Sequence, residues 1–424
     1  MENFYLIDYL NKNNVIDQEL LDCLKAELDQ NIYYYGDQFK YPKEFPKKRF
    51  RGAIRKLKWL FALYKIIQNR KILTDKKIIL SNAYFSVNHE LKQLGYQVYS
   101  PSWRMAHDRN ILSDFKILSA SEAIKYKLET NNFNELISAQ FLSSVKKFEE
   151  NLKDFFTKKE LSALIVPNDI SFFENICIRI CKDINVPSFV FLHGLPGLYN
   201  HIDGNRSNYL VVWGDRIKEN FINAGISPDK IFVSGHPYYK EFKKNELKFS
   251  LENILIITKS MNGGQHGDKV ILSDRGNLIL YLYSIEKILK KLGVKSVRFR
   301  PHPSEDAKWY SKFLNNDFYK ADNTNLEQSI KKSSLVIGPT STLFLESLYH
   351  GVNYLVYERS INNISIMNDK LVPPFDGTEP RVPVAKNEEE LSYLLKNKEK
   401  VNTSFISEYI KTPFDLSFIK SLIP

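Results

Sequence analysis

The chain repeats one rhythm twice: a short apolar run, a turn, a helical pattern, then another apolar run. The first series holds "KKIILSNAYF", "YQVYSPSW", "LSALIVPND", "VPSFVFLHG", "NYLVVWG" and "KIFVSGHP". Helical stretches lie between them, such as "SVNHELKQLG", which ends on Gly95, and "ISFFENICIRICKDIN". The second series holds "ILIITKS", "KSVRFRPHP", "SLVIGPTST" and "VNYLVYE", spaced by "LILYLYSIEKILKKLG", "LEQSIKKS" and "LFLESLYHG". Buried runs of this kind separated by helical patterns form parallel sheets covered on both faces. The polar, aperiodic "KKNELKFSLEN" separates the two series. The pattern predicts an α/β chain in four parts. These are a helical basic segment over 1–75 with a break at "YPKEFPKK", a first sheet domain over 76–242, a second over 243–400, and a tail over 401–424. In the tail, "EYIKTPFDLSFIKSLIP" is expected as a helix packing back toward the first domain.

With 424 residues, 43% of them hydrophobic and 26% charged, the chain can build sizeable cores. No stretch of about 20 uncharged apolar residues occurs, so no transmembrane helix is expected. The start, "MENFYLIDYL", has an early acid and lacks the basic-then-apolar order of a secretory signal. Cys177 and Cys181 lie four apart, on one face of a helix. With Cys23 they are expected as small buried apolar residues of a reducing compartment rather than a disulfide or a metal pair.

The formal net charge of +11 points to an anionic partner: nucleic acid, a membrane surface or a small substrate. Much of the excess lies in 40–71. There Ile54, Leu57, Leu60, Phe61, Tyr64 and Ile67 recur at helical spacing, with Arg51, Arg55, Lys58 and Lys65 between them and Trp59 nearby. Such a helix either lies on an anionic bilayer or packs its apolar stripe against the body. No zinc-finger spacing or RNA-binding aromatic motif appears, so nucleic acid is not the expected partner.

In open α/β sheets ligands bind beyond the carboxyl ends of the strands, so the loops there carry the chemistry. In "RPHP", Pro301 and Pro303 hold His302 on a stiff extended mount, where imidazole can meet a phosphate, and Arg300 precedes it. The plainer alternative is a packed histidine in a proline-rich turn. In "GPTSTLFLESLYHG", Thr340, Ser341 and Thr342 stand where a helix begins, which suits an anion or helix capping alone. Glu346, a turn further on, can reach a ribose hydroxyl or simply face solvent. In "FLHGLPGLYN", His193 ends a strand beside Gly194 and Gly197, and Asp169 of "PND" can share its site. "TKSMNGGQHGDK" brings Ser260, His266 and Asp268 among glycines as a phosphate or substrate loop, but its order is not that of a Walker A motif.

Taken together, "RPHP" and "GPTSTLFLES" resemble the His-Pro and Ser/Thr motifs of GT-B glycosyltransferases that use CMP-activated acidic sugars, including bacterial sialyltransferases and Kdo transferases. "FLHGLPG", "VVWG" and "KIFVSGHP" are similar to motifs of related capsule enzymes and CDP-glycerol phosphotransferases. The resemblance spans roughly 186–358. It implies a GT-B fold of two Rossmann-like domains facing a central cleft. It also implies transfer of Kdo or another nonulosonate from a CMP-sugar to a glycan or lipid-linked glycan acceptor in capsule or lipopolysaccharide assembly. Such enzymes need neither a metal nor another cofactor. Nucleotide and phosphate contacts would come from Ser260, Arg300, His302, Pro303, Thr340, Ser341, Thr342 and Glu346. The catalytic candidates are His302, Asp169 as first choice of base, His193 as second, and Asp268 as the further carboxylate of a retaining enzyme. The acidic pair that sialyltransferases carry before glycine is missing near "HGLPG". The expected location is cytoplasmic, peripheral on the inner face of the membrane. A CDP-polyol phosphotransferase of teichoic-acid-like synthesis and a non-catalytic glycan- or membrane-binding scaffold are the alternatives.

Overall fold

The computed structural model describes residues 18–35, 48–69, 77–104, 110–130, 136–200, 206–239, 242, 246–259, 264–266, 269–271, 275–303, 307–361, 364–365 and 371–423. Its frame is two parallel sheets. The first contains β1 (Ile78–Ser81), β2 (Gln97–Pro101), β3 (Ile111–Leu112), β4 (Leu161–Val166), β5 (Ser188–Phe191), β6 (Tyr209–Val212) and β7 (Ile231–Val233). They lie in the order β3-β2-β1-β4-β5-β6-β7, every pairing parallel. The second half begins with β8 (Ile254–Ile257), followed by a small antiparallel pair, β9 (Gly264–His266) and β10 (Lys269–Ile271). Then come β11 (Val297–Arg300), β12 (Tyr319–Ala321), β13 (Leu335–Gly338), β14 (Tyr354–Tyr357), the antiparallel pair β15 (Ser360–Ile361) and β16 (Ile364–Ser365), and β17 (Val384–Ala385). The second sheet runs β12-β11-β8-β13-β14-β17 and is also parallel. This is the two-sheet α/β layout of a GT-B fold.

Both sheets are wound alike. The chain moves outward from β1 through β2 to β3, then returns to place β4 on the other side of β1. It moves from β8 through β11 to β12, then places β13 on the other side of β8. Each sheet therefore has a switch point, β1/β4 in the first and β8/β13 in the second, where two neighbouring loops diverge and leave a crevice. The central strands are buried at every position from Ile254 to Ile257 and from Leu335 to Gly338, as both-face coverage requires.

The helix Phe172–Asp183 is buried on most sides, packed on β4, β5 and the helices Gln18–Tyr35 and Ala139–Lys158. Cys177 and Cys181 sit inside it as free thiols, and burial pushes both well above the ordinary thiol range. Glu27 of the Gln18–Tyr35 helix accepts the Phe172 main-chain N–H at 2.9 Å, so the amino-terminal region is tied to the first sheet.

Three expectations need correction. "EYIKTPFDLSFIKSLIP" is not one helix. Only Ile406–Tyr409 and Ile419–Leu422 are helical, because the stretch between them spends its N–H groups on the first half: Lys411 donates to the Trp213 carbonyl and Asp415 to that of Ser234, each at 2.8 Å. Pro413 also cannot donate within a helix. The segment after β8 is not all loop, since β9 and β10 pair inside it. In the helix Lys48–Asn69, the packing alternative does not hold for the described side chains of the stripe. Ala62 and Ile66 are buried with Ile111 and Leu118, while Leu57, Leu60, Phe61, Tyr64 and Ile67 are 44–67% exposed.

Candidate active site

At the second switch point the strand ends carry a polar set. Thr258 and Lys259 follow β8. Thr258 Oγ1 accepts the His302 main-chain N–H at 3.1 Å, pinning the His-Pro turn after β11 to the end of its neighbour. The Ser/Thr turn follows β13, so His302 and Ser341 follow strands on either side of β8, and those two strands stand roughly 10 Å apart at the usual spacing. Glu358, fully buried just past β14, accepts the Thr340 N–H at 2.6 Å. Burial lowers the Lys259 ammonium from its ordinary range, and the nearby Glu358 charge opposes that shift. Gly338 has no room for a side chain: a Cβ there would collide with the Tyr354 hydroxyl and with Ile257.

The hydroxyls of the turn are set to donate. Ser341 Oγ accepts the Leu343 N–H at 3.2 Å, which leaves its proton for another acceptor. Thr342 makes no capping bond to its own helix, Leu343–Tyr349. Its Oγ1 instead accepts the Leu195 N–H at 3.0 Å, across to the loop after β5 in the first half. A Cβ on Gly194 would stand 2.8 Å from the same oxygen, so glycine is what lets the two loops touch. Arg300 donates to the Thr324 carbonyl at 2.6 Å. Glu346 is raised by burial and by the Glu327 charge, with Arg300 opposing.

The first switch point opens into a cavity of 370 Å³, within the range of ligand pockets, roughly 300–1,000 Å³. Asn82 and Tyr84 line it from the loop after β1, Pro167 and Asn168 from the loop after β4, and His193 from the loop after β5. Glu174, Arg104 and Lys125 complete its polar wall. Asn82 Nδ2 donates to Glu174 Oε1, and Arg104 donates to the Asn82 carbonyl. Burial pushes the Glu174 carboxyl up, while its hydrogen bonds and the Arg104 charge hold it down in part. His193 Nδ1 lies 3.0 Å from the Pro167 carbonyl. A carbonyl can only accept, so Nδ1 carries the proton and the neutral ring keeps Nε2 as an acceptor.

The structure therefore brings the loop that carries His193 against Thr342, through Gly194 and Leu195, and sets His302, Pro303, Thr340, Ser341 and Thr342 at one end of the second sheet. Asp169 stands apart. It is 2% exposed, lies outside the cavity wall, and its carboxylate accepts the Arg206 main-chain N–H at 2.9 Å while Arg206 also donates to its carbonyl. The carboxylate locks a loop. Ser260 and Asp268 lie outside the described residues, as does the side chain of His266. Glu174, Asn82, Arg104, Lys125, Lys259 and Glu358 were not anticipated. Glu358 had a signal, an acid directly ending a fully apolar strand. Ser171 and Glu174 match the Ser-x-x-Glu capping pattern, which would assign both to helix ending; in fact Ser171 makes no side-chain cap and Glu174 turns to Asn82.

No protein-family model matches the chain, and no curated protein matches it. Among solved structures, it is similar to the UDP-GlcNAc 2-epimerase of Methanocaldococcus jannaschii in complex with UDP-GlcNAc and UDP, at 14% identity, with 82% of this chain and 98% of that one covered and a TM-score of 0.47. The Neisseria meningitidis UDP-GlcNAc 2-epimerase bound to UDP-GlcNAc gives 13% identity, coverage of 82% and 99%, and a TM-score of 0.46. The lipopolysaccharide outer core galactosyltransferase WaaB in its apo form gives 11%, 82% and 98%, with a TM-score of 0.42. None of these likenesses bears on substrate or activity.

Proposed function

We propose that the chain is a glycosyltransferase that moves a sugar from a nucleotide donor seated at the second switch point to a glycan acceptor in the first-half cavity. One observation carries this reading: the direct contact of the His193–Leu195 loop with the Ser/Thr turn through Leu195 N and Thr342 Oγ1. It supports the reading by joining the loop that carries His193 to the turn that carries Ser341 and Thr342. In a single displacement the acceptor oxygen bonds to the anomeric carbon, the bond from that carbon to the nucleotide phosphate breaks, and His193 Nε2 takes the acceptor proton. The departing anion is met by the hydroxyls of Ser341 and Thr342 and by the His302 imidazole. His193, not Asp169, is the base in this scheme.

The favoured donor is a CMP-nonulosonate such as CMP-Kdo, on the strength of the "RPHP" and "GPTST" motifs, and the product belongs to capsule or lipopolysaccharide assembly. The scheme asks for no metal. The enzyme works in the cytoplasm on the inner membrane face, held there by the helix Lys48–Asn69. Supporting this, the helix has seven lysines and arginines, no acid, and an exposed stripe of Leu57, Leu60, Phe61, Tyr64 and Ile67. The test is calorimetric titration with CMP, CDP, UDP and GDP, followed by product analysis. Tightest binding of CMP and a phosphorus-free linkage are expected. Preference for UDP moves the donor to a hexose class. A phosphodiester in the product replaces sugar transfer with polyol-phosphate transfer, and no nucleotide binding at all leaves only a scaffold.

A further inference from the structure

The first-half cavity says more about its occupant than that it is a glycan. Among the described residues, two buried polar atoms of residues that line it have no hydrogen-bond partner: Trp103 Nε1, a donor, and Asn82 Oδ1, an acceptor. Trp103 is 8% exposed and Asn82 4%, so water reaches neither freely. Buried polar groups are nearly always satisfied, so a donor and an acceptor left over in two residues that line one cavity suit a ligand that offers the complement of each once it seats against them. A sugar hydroxyl does both. Glu174 adds a third polar group, one oxygen of which already accepts from Asn82.

Arg104 and Lys125 line the same cavity. Each is steadied by a main-chain carbonyl rather than a carboxylate: Arg104 by Asn82, and Lys125 by Trp103 at 3.1 Å. Neither forms an ion pair among the described residues. Two cations fixed in a partly enclosed wall against a single carboxyl, that of Glu174, favour an incoming anion.

We propose that this cavity takes a hydroxylated sugar bearing one carboxylate or phosphate, its anion on Arg104 and Lys125 and its hydroxyls on Trp103 Nε1, Asn82 Oδ1 and Glu174. The proposal rests on the acceptor reading of the first half and names the chemical class of that acceptor.

The experiment is calorimetry on the full chain with glucuronate, glucose 6-phosphate, glucose and inorganic phosphate, each with and without saturating CMP. Glucuronate or glucose 6-phosphate should bind at least tenfold more tightly than glucose, and glucose 6-phosphate more tightly than phosphate alone. Which charged sugar leads identifies the anion. Arg104→Gln should remove most of the preference for charge, Arg104→Lys should restore part of it, and Trp103→Phe should weaken charged and neutral sugars by a similar factor. Lys125→Gln serves if Arg104→Gln does not fold. Glucose binding as tightly as both charged sugars, phosphate matching glucose 6-phosphate, no charged-sugar binding, or Arg104→Gln and Lys125→Gln both leaving affinity unchanged overturns the proposal. Nucleotide titration of the same sample separates the two readings. Retained nucleotide binding without charged-sugar selectivity sinks only the acceptor class, whereas absent nucleotide binding sinks the transferase.

Discussion

A carbonyl group decides what His193 can do. With Nδ1 committed to Pro167, only Nε2 is left to take a proton, and the residue lines the cavity. His193→Ala should lower kcat by about 10²–10⁴-fold with nucleotide affinity unchanged, as loss of a positioned base does. His302→Ala should cost about 3 kcal/mol in transition-state stabilisation without unfolding the chain, read from kcat/KM in a transfer assay. His236 is a different kind of histidine. It is buried among Trp213, Phe85 and Tyr239, and burial lowers its pKa to about 4. Its Nδ1 accepts the Tyr238 N–H at 3.1 Å, which the neutral ring alone can do. A folded pKa below the unfolded value of about 6.5 means that the contribution is present above pH 6.5 and is lost as pH falls toward 4. That window should remove roughly 3 kcal/mol of unfolding free energy in chemical denaturation, and His236→Phe should flatten it.

At the scale of elements, two glycines with like backbones make a matched test. Gly235 has φ +80, and a Cβ there would collide with the Lys411 carbonyl of the returning tail. Gly293 has φ +81 with nothing within 4 Å. Gly293→Ala should cost only the left-handed conformation, about 1–2 kcal/mol. Gly235→Ala should cost about 1–3 kcal/mol more, because a backbone carbonyl must also move; urea unfolding of both measures the difference. The same scale shows what a sequence discloses. The strands were legible because both-face burial writes an unbroken apolar run, and the position of His302 and the Ser/Thr turn at strand ends was legible because proline and hydroxyl residues follow those runs. The order of strands was not. Nothing in "LSALIVPND" says that β4 joins the far side of β1, yet that choice creates the cavity. Its wall draws on Asn82, Arg104, Lys125, Glu174 and His193, which are brought together only by the winding. Asp169 misled for a related reason: its partner, Arg206, lies beyond the next strand, and no local pattern joins them.

Taken whole, the molecule is held together across its two halves. One buried cluster runs from Leu164 and Trp213 of the first to Ile257, Val336 and Phe344 of the second, and Tyr239 stacks on Tyr349 at 4.6 Å. Arg381 donates to Glu408 at 2.6 Å, and Glu408 lies 3.6 Å from Arg216 of the first half. The Lys48–Asn69 helix faces outward from this body. Replacing Leu60, Phe61 and Tyr64 by serine should leave the unfolding transition in place and reduce flotation with anionic vesicles severalfold, while neutral vesicles bind neither form; unchanged flotation would remove the membrane role.

The tail has one more effect. Leu416, Ile419 and Ile423 close the core around Ile79, Phe189 and Val211, and Phe418 stacks on Phe232 at 5.0 Å. These partners lie far apart along the chain. A ribosome finishes the seven strands of the first sheet long before it makes the residues that cover one of their faces. Until then the nascent half carries an oily, open flank of the kind that holdase chaperones recognise, and maturation of the early-made domain waits on a segment made well after its own strands.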